Sequence, residues 1–229
     1  MIITDPGLEL RSDWTLETGP NINPIPADSF VGTHMGDSSY RITNVSSKAY
    51  GGALLTNKRQ VPMLQGSTMN QVFYAGLDLE FLISSADLPF LWAHETDVKA
   101  CVQGAPNSST KIPNVFNWSA QVNMGKGGMF QIDAIPGKPG WVDTGIKVPP
   151  VPDVWNRLRI RYKADVAAAL FSVLSVNGMG IDPGQQNMPL QVTNWQPVAA
   201  VQLQNEVAMP GVVNISYRNI ALLYSPDPF

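Results

Sequence analysis

The sequence predicts an all-β protein, a two-sheet antiparallel β-sandwich or jelly roll, and three observations carry that expectation. Charged residues make up only 14% of the 229, whereas Gly and Pro contribute 19 each. No extended run has the Glu, Lys, Arg and Leu richness of an amphipathic helix. Turn-rich segments recur at 18–29, 103–114, 135–140, 148–153 and 178–189, with short runs of alternating apolar and polar residues between them and no internal repeat. The length suffices for a substantial core and fits one domain spanning 1–229.

Successive side chains on a strand point to opposite faces, so each run sorts into a core set and an outer set. LDLEFLI places Leu77, Leu79, Phe81 and Ile83 on one face and Asp78 and Glu80 on the other. FLWAHETDVKACV places Phe90, Trp92, His94, Thr96, Val98, Ala100 and Val102 inward and Glu95, Asp97 and Lys99 outward. The intervening SSADLP suits a hairpin, with Ile83 paired to Phe90 and Asp78 facing Glu95. FNWSAQVNM buries Phe116, Trp118, Ala120, Val122 and Met124 and turns out Asn117, Ser119, Gln121 and Asn123. GMFQIDAI turns out Gln131 and Asp133. The outward sets together form a face of carboxylates and amides, which suits sugar hydroxyls because carboxylates accept and amides both accept and donate hydrogen bonds. A solvated outer face of an antiparallel sheet has the same pattern.

In VWNRLRIRYKADVAAALFSVLSVNG, the β-branched and aromatic residues predict two strands broken at Lys163-Ala164-Asp165, with a turn at Asn177-Gly178. A strand with Gln202 and Gln204 on one side, a turn at Pro210-Gly211 and a long final strand follow. A strand starting Trp155-Asn156-Arg157, one closing on Val176-Asn177-Gly178, a Gln202-x-Gln204 strand and a closing Tyr217-Arg218-Asn219-Ile220 strand together resemble the concanavalin A-like lectin and glucanase superfamily, over roughly residues 72–224. The last two pieces look most like the laminin-G-like domains of bacterial keto-disaccharide hydrolases. The resemblance implies a jelly roll whose concave sheet binds carbohydrate, in a superfamily of lectins, glycosidases, polysaccharide lyases and adhesion modules. Fold alone does not choose among them.

Laminarinase-type glycosidases of that superfamily carry Glu-x-Asp-x-Glu or Glu-x-Asp-x-x-Glu on one strand. Glu95 and Asp97 match its first two positions and are the candidate catalytic pair. The third position is Lys99 or Ala100, so the acid/base carboxylate is missing from the motif, with Glu80 the first candidate to replace it. Lys99 beside Asp97 is expected to hold that carboxylate ionised. Lys99, Asn117, Gln121, Asn123, Gln131, Asp133 and Trp141 are the candidate ligand-binding residues, Trp141 and Trp195 being expected in loops, where an indole can stack on a sugar ring. Three function classes remain open: a glycan-binding protein, a glycoside hydrolase or polysaccharide lyase, and an adhesion or structural module without a sugar ligand.

Arg157, Arg159 and Arg161 line one side of a strand. They are expected to pair with acids on adjoining strands, Asp153 and Asp165 being near in sequence, or else to grip an acidic polysaccharide. His94, on the core face, is expected to be buried and neutral. One Cys and two His leave no basis for a disulfide or a zinc cluster, and no metal or cofactor is expected. A net charge of -3 offers no footprint for nucleic acid. Neither a membrane span nor a signal peptide is visible, so a soluble chain with a saccharide partner is expected, extracellular or periplasmic if a leader has been removed. Four Asn-x-Ser/Thr triplets, at Asn44, Asn107, Asn117 and Asn214, read as chance in so Asn- and Ser-rich a chain.

Overall fold

A computed structural model describes residues 3–17, 24–61, 64, 72–102, 115–133, 140–165, 168–177, 179–181, 190–191 and 198–228. Its strands in chain order are β1 (Ile3–Asp5), β2 (Thr15–Glu17), β3 (Ser29–His34), β4 (Tyr40–Ser46), β5 (Gly52–Arg59), β6 (Phe73–Ile83), β7 (Leu91–Cys101) and β8 (Val115–Asn123). Then follow β9 (Met129–Asp133), β10 (Trp141–Lys147), β11 (Asn156–Asp165), β12 (Ala168–Val176), β13 (Met179–Ile181), β14 (Leu190–Gln191), β15 (Ala199–Val207) and β16 (Gly211–Ser225). They form two eight-stranded antiparallel sheets. The first runs β13-β12-β11-β6-β16-β4-β3 with β1 on β16, and the second runs β10-β9-β8-β7-β15-β5-β2 with β14 on β8. The all-β sandwich expectation is met. Among the described residues, no helix is long and apolar enough to cross a membrane.

The alternating runs fill the space between the sheets. Leu77, Leu79, Phe81 and Ile83 of β6, with Leu158, Ile160 and Tyr162 of β11, face Val98 and Ala100 of β7 and Phe116, Trp118, Ala120 and Val122 of β8. The Trp118 ring stacks on Tyr162 across the layers at 5.0 Å. Asn177 turns the β12–β13 hairpin with φ 51°, where the Val-Asn-Gly signal placed it. The expected break at Lys163-Ala164-Asp165 falls later, because β11 continues to Asp165 and β12 begins at Ala168.

The expected hairpin between β6 and β7 is not formed. The two strands lie in different sheets, β6 between β11 and β16 and β7 between β15 and β8. Their connector is an arch over the sandwich. Ser84 Oγ donates to Asp87 Oδ2 at 2.6 Å, and Asp87 Oδ1 accepts from the Asn214 backbone N–H of β16 at 3.3 Å. Both strands still turn their apolar faces inward, so Phe81 meets His94 across the core at 4.7 Å between ring centroids. Asp78 and Glu80 therefore sit on the outer face of the first sheet, away from Glu95. There Asp78 takes Arg161 at 2.6 Å and Arg159 at 3.4 Å, and Glu80 takes Arg218 at 2.6 Å. Pairing of the arginine stripe with acids is borne out for Arg159 and Arg161, but the acid is Asp78 on the neighbouring strand. Asp153 instead accepts the Ser85 backbone N–H, and the side chain of Asp165 lies outside the described residues.

His94 is buried as expected, within a polar cluster inside the core. Its Nδ1 lies 3.1 Å from Asn205 Oδ1, which also accepts from the Tyr217 hydroxyl at 3.1 Å. The Tyr217 hydroxyl also lies 3.2 Å from His94 Nδ1, so the three side chains close one hydrogen-bonded triangle. Burial pulls the imidazole pKa down to about 4, keeping it neutral. One amide thus ties side chains from both sheets. Replacing Asn205 by Ala removes the partner shared by His94 and the Tyr217 hydroxyl, at about 1–3 kcal/mol for each group left unpaired, whereas Tyr217→Phe removes only the hydroxyl and keeps the His94–Asn205 contact. Urea denaturation should show Asn205→Ala losing about 2–4 kcal/mol and Tyr217→Phe about 1 kcal/mol. Equal losses would contradict the shared-partner arrangement.

Candidate functional site

The register of the second sheet brings the candidate residues onto one outer face. Glu95 stands opposite Gln204 on β15 and Gln121 on β8, Asp97 opposite Gln202 and Ser119, and Lys99 opposite Ala200 and Asn117. Asn123 lies opposite Ala93. Gln121 faces Gln131 on β9, and Asp133 faces Trp141 on β10. Directly opposed residues project to the same side of a sheet. All nine candidates therefore share one face, and none enters the inter-sheet core. Trp141 begins β10 rather than lying in a loop, and Trp195 falls outside the described residues.

This face is not the open surface the alternation suggested. Asp97 is 6% exposed, Asn117 2%, Gln121 5%, Asn123 6% and Gln131 2%, while Glu95, Lys99, Asp133 and Trp141 are partly exposed. Recessed amides must find partners inside the protein, and they do. Gln121 and Asn123 both donate to Gln131 Oε1, at 2.6 and 3.0 Å, and Gln131 donates to Asp143 Oδ1 at 2.5 Å. The turn between β8 and β9 holds this network. Asn123 Oδ1 accepts the Lys126 backbone N–H at 3.1 Å, and Lys126 Nζ reaches Asp143 at 2.9 Å. Gly125 is required in that turn, because a Cβ there would sit 1.9 Å from the Trp92 ring.

Sequence reasoning missed Glu206. It stands opposite Ala93, diagonal to Glu95 across the β15–β7 ladder, and accepts from Gln204 Nε2 at 3.1 Å. Immediately beyond it the register shifts, Val207 pairing with Leu91, so Trp92 is the extra residue of a bulge. The inward set of β7 consequently slips at this end. Leu91 is buried in the core, and Trp92 is only partly buried, against Tyr50 at 4.8 Å. The signal for Glu206 was the alternation Gln202, Gln204, Glu206, which places all three on the face of Glu95.

Three carboxyls thus meet in a recess. Burial raises Glu95 well above its ordinary range, and the negative charges of Asp97 and Glu206 raise it further. Burial also raises Asp97, against the opposing pull of Lys99, Ser119 and Glu95. The expectation that Lys99 holds Asp97 ionised is corrected accordingly: desolvation outweighs the ammonium. Burial lifts Glu206 to about 7. Among the described residues, no three His, Cys, Asp or Glu side chains are disposed to hold a metal ion.

No family model matches the sequence, and no curated protein matches it. Solved structures define its fold as a jelly-roll β-sandwich. A carbohydrate esterase from the Shiga toxin-encoding bacteriophage phi24B superposes with a TM-score of 0.52 at 10% identity, covering 98% of this chain and 100% of that one. An alginate lyase superposes with a TM-score of 0.50 at 12% identity over 85% of this chain and 86% of the other. A mutant of such a lyase, solved with an alginate trisaccharide, gives 0.50 at 11% over 83% of each chain.

Glu206, raised from 4.5 to about 7, holds its proton more tightly in the folded chain than in the unfolded one. Its contribution to stability is complete below the unfolded value and is lost as pH rises through 7. Glu95 and Asp97 act with the same sign. His94, lowered from 6.5 to about 4, acts oppositely, its contribution fading as pH falls through that interval. Comparing wild type with Glu206→Gln isolates the first effect. The Tm difference should open in favour of the variant between about pH 5 and pH 8, by at most about 3 kcal/mol in stability. A pH-independent difference would contradict a buried, proton-holding Glu206.

Proposed function

We propose that the chain is a carbohydrate-binding protein, a single domain over 1–229, that takes an oligo- or polysaccharide along the outer face of its second sheet. The observation that carries this reading is the convergence of Glu95, Lys99, Gln121, Gln131, Asp133 and Trp141 on one recessed face. Its mix of acceptors and donors matches the alternating capacities of sugar hydroxyls, and an indole at the lip can stack on a ring. The partly exposed Glu95 and Lys99 contact the ligand, and the buried amide chain through Gln131 keeps the face rigid.

Glycan cleavage is the second reading, favoured by Glu206. A carboxyl that keeps its proton near neutrality, diagonal to Glu95, is the kind of group the strand motif lacks. Diagonal cross-strand neighbours lie roughly 7–8 Å apart, within the span over which carboxyl tips adopt either glycosidase separation.

A glycan array combined with reducing-end and unsaturated-product assays separates these readings. Binding without products, reduced about tenfold or more by Glu95→Gln or Trp141→Ala while Tm stays near wild type, is the expected result. Products that disappear on Glu206→Gln would establish cleavage. Blank results in every assay would favour an adhesion or structural module.

A further inference from the structure

Among the described residues, Ser38, Tyr50, Asp153, Asn177 and Asn219 have positive φ without being glycine. Asn and Asp enter the left-handed region readily and Ser38 is small, whereas Tyr50, at φ 63°, is bulky and stands out. Its backbone shows where the conformation comes from. The Tyr50 N–H donates to the Val207 carbonyl at 2.7 Å, and the Val207 N–H donates to the Gly51 carbonyl at 3.2 Å, so Tyr50 and Gly51 together oppose Val207. This is a bulge whose first position ordinarily holds glycine. Here the glycine stands second and a tyrosine takes the left-handed place, while remaining 45% exposed. A ring that is strained to place and buries only part of itself gives little to folding, and strained residues collect at binding sites.

The second sheet positions the ring. Val207 and Leu91 take the core positions at this end, so the extra residue of β7, Trp92, turns out of the core and meets Tyr50 edge-on, the ring planes 79° apart. The next row of the outer face is Gly52, Glu206 and Ala93. Glycine and alanine raise little beside the partly exposed Glu206, which leaves a shallow floor with the Tyr50–Trp92 pair at its end. A sugar ring resting there has an aromatic face for its C–H groups and, in Glu206, a carboxyl that donates and accepts while it holds its proton.

We infer that Tyr50, backed by Trp92, is a second sugar-stacking position beside Glu206, and that the saccharide crosses the sheet from Trp141 to it. This inference rests on the carbohydrate-binding reading and gives its ligand a length. Trp141 starts β10, three strands from β7, and the residue after it is level with Ile132, Ala120 and Thr96 in successive registers. At about 4.8 Å between strands and 3.3 Å per residue, Trp141 and Trp92 are about 20 Å apart. A disaccharide cannot touch both ends, and a hexasaccharide can.

Calorimetry on the full chain with cello-, xylo-, manno- and alginate oligosaccharides, each as disaccharide and hexasaccharide, tests it. At least one hexasaccharide should bind about tenfold or more tighter than its disaccharide. Tyr50→Gly, which returns the bulge to its ordinary residue, should weaken that hexasaccharide by about tenfold or more while Tm stays at or above that of wild type. Tyr50→Phe, which keeps the ring, should bind within about twofold of wild type. Unchanged binding in Tyr50→Gly, a loss in Tyr50→Phe as large as in Tyr50→Gly, or equal affinity for both lengths would overturn the inference and leave carbohydrate binding standing. A lowered Tm in Tyr50→Gly would make the ring a structural prop and overturn it equally. If no oligosaccharide binds, the inference and the carbohydrate-binding reading fall together.

Discussion

The alternation of β7 is the constraint on which the rest depends. This strand is covered on both sides, and its two faces have opposite chemistry. Inward lie His94, Thr96, Val98 and Ala100, outward Glu95, Asp97 and Lys99. A slip of one residue would carry two carboxyls into the sandwich and expel the packing face, so register is strongly specified. The His94–Asn205–Tyr217 cluster adds a directional lock. Asn205 on β15 bonds His94 of β7 beside it and accepts from Tyr217 of β16 in the other sheet, and it does so in one register only. The positions of Glu95 and Asp97 on the far side of β7 follow from that lock.

How much of this could be read from the amino acids depended on how local the information was. The in-or-out parity of β6, β7, β8 and β9 was legible, because each strand carries its own period of two. The partner of each strand was not. β6 and β7 are consecutive and match in parity, which fits a hairpin within one sheet and an arch between two sheets equally well. The choice was made by Asp87, which ties the connector to Asn214 far along the chain. Bulges escaped for the same reason. Tyr217-Arg218-Asn219-Ile220 reads as a simple strand, yet Asn219 has φ 54° and the pairing jumps between Arg218 and Ala221. The buried Glu9 carboxylate accepts the Ile220 N–H at this bulge from more than two hundred residues away.

The candidate site was legible as a set of outward residues but not in its depth or its third acid. Alternation distinguishes inside from outside and says nothing of whether the outside is open. The Gln121 and Gln131 amides are recessed, and desolvation on this face defeats the simple expectation that a lysine two residues along keeps Asp97 ionised. Glu206 arrives on a strand that pairs with β7 only after the intervening strands have been placed.

The two outer faces of the sandwich bring out what is unusual about the second. On the first sheet, charge is matched side chain to side chain: Arg161 with Asp78, and Arg218 with Glu80 while its guanidinium covers Trp155 at 4.1 Å. Such partly exposed pairs contribute about 0–1 kcal/mol each and leave little unmet demand. On the second sheet, Glu95, Asp97 and Glu206 gather beside Lys99, and burial rather than ion pairing dominates their protonation. Recessing carboxyls is costly on the scale of the roughly 5–15 kcal/mol by which domains are stable. A cluster of recessed carboxyls on an outer sheet face departs from local consistency there. That departure is the kind expected where function, rather than folding, has set the residues.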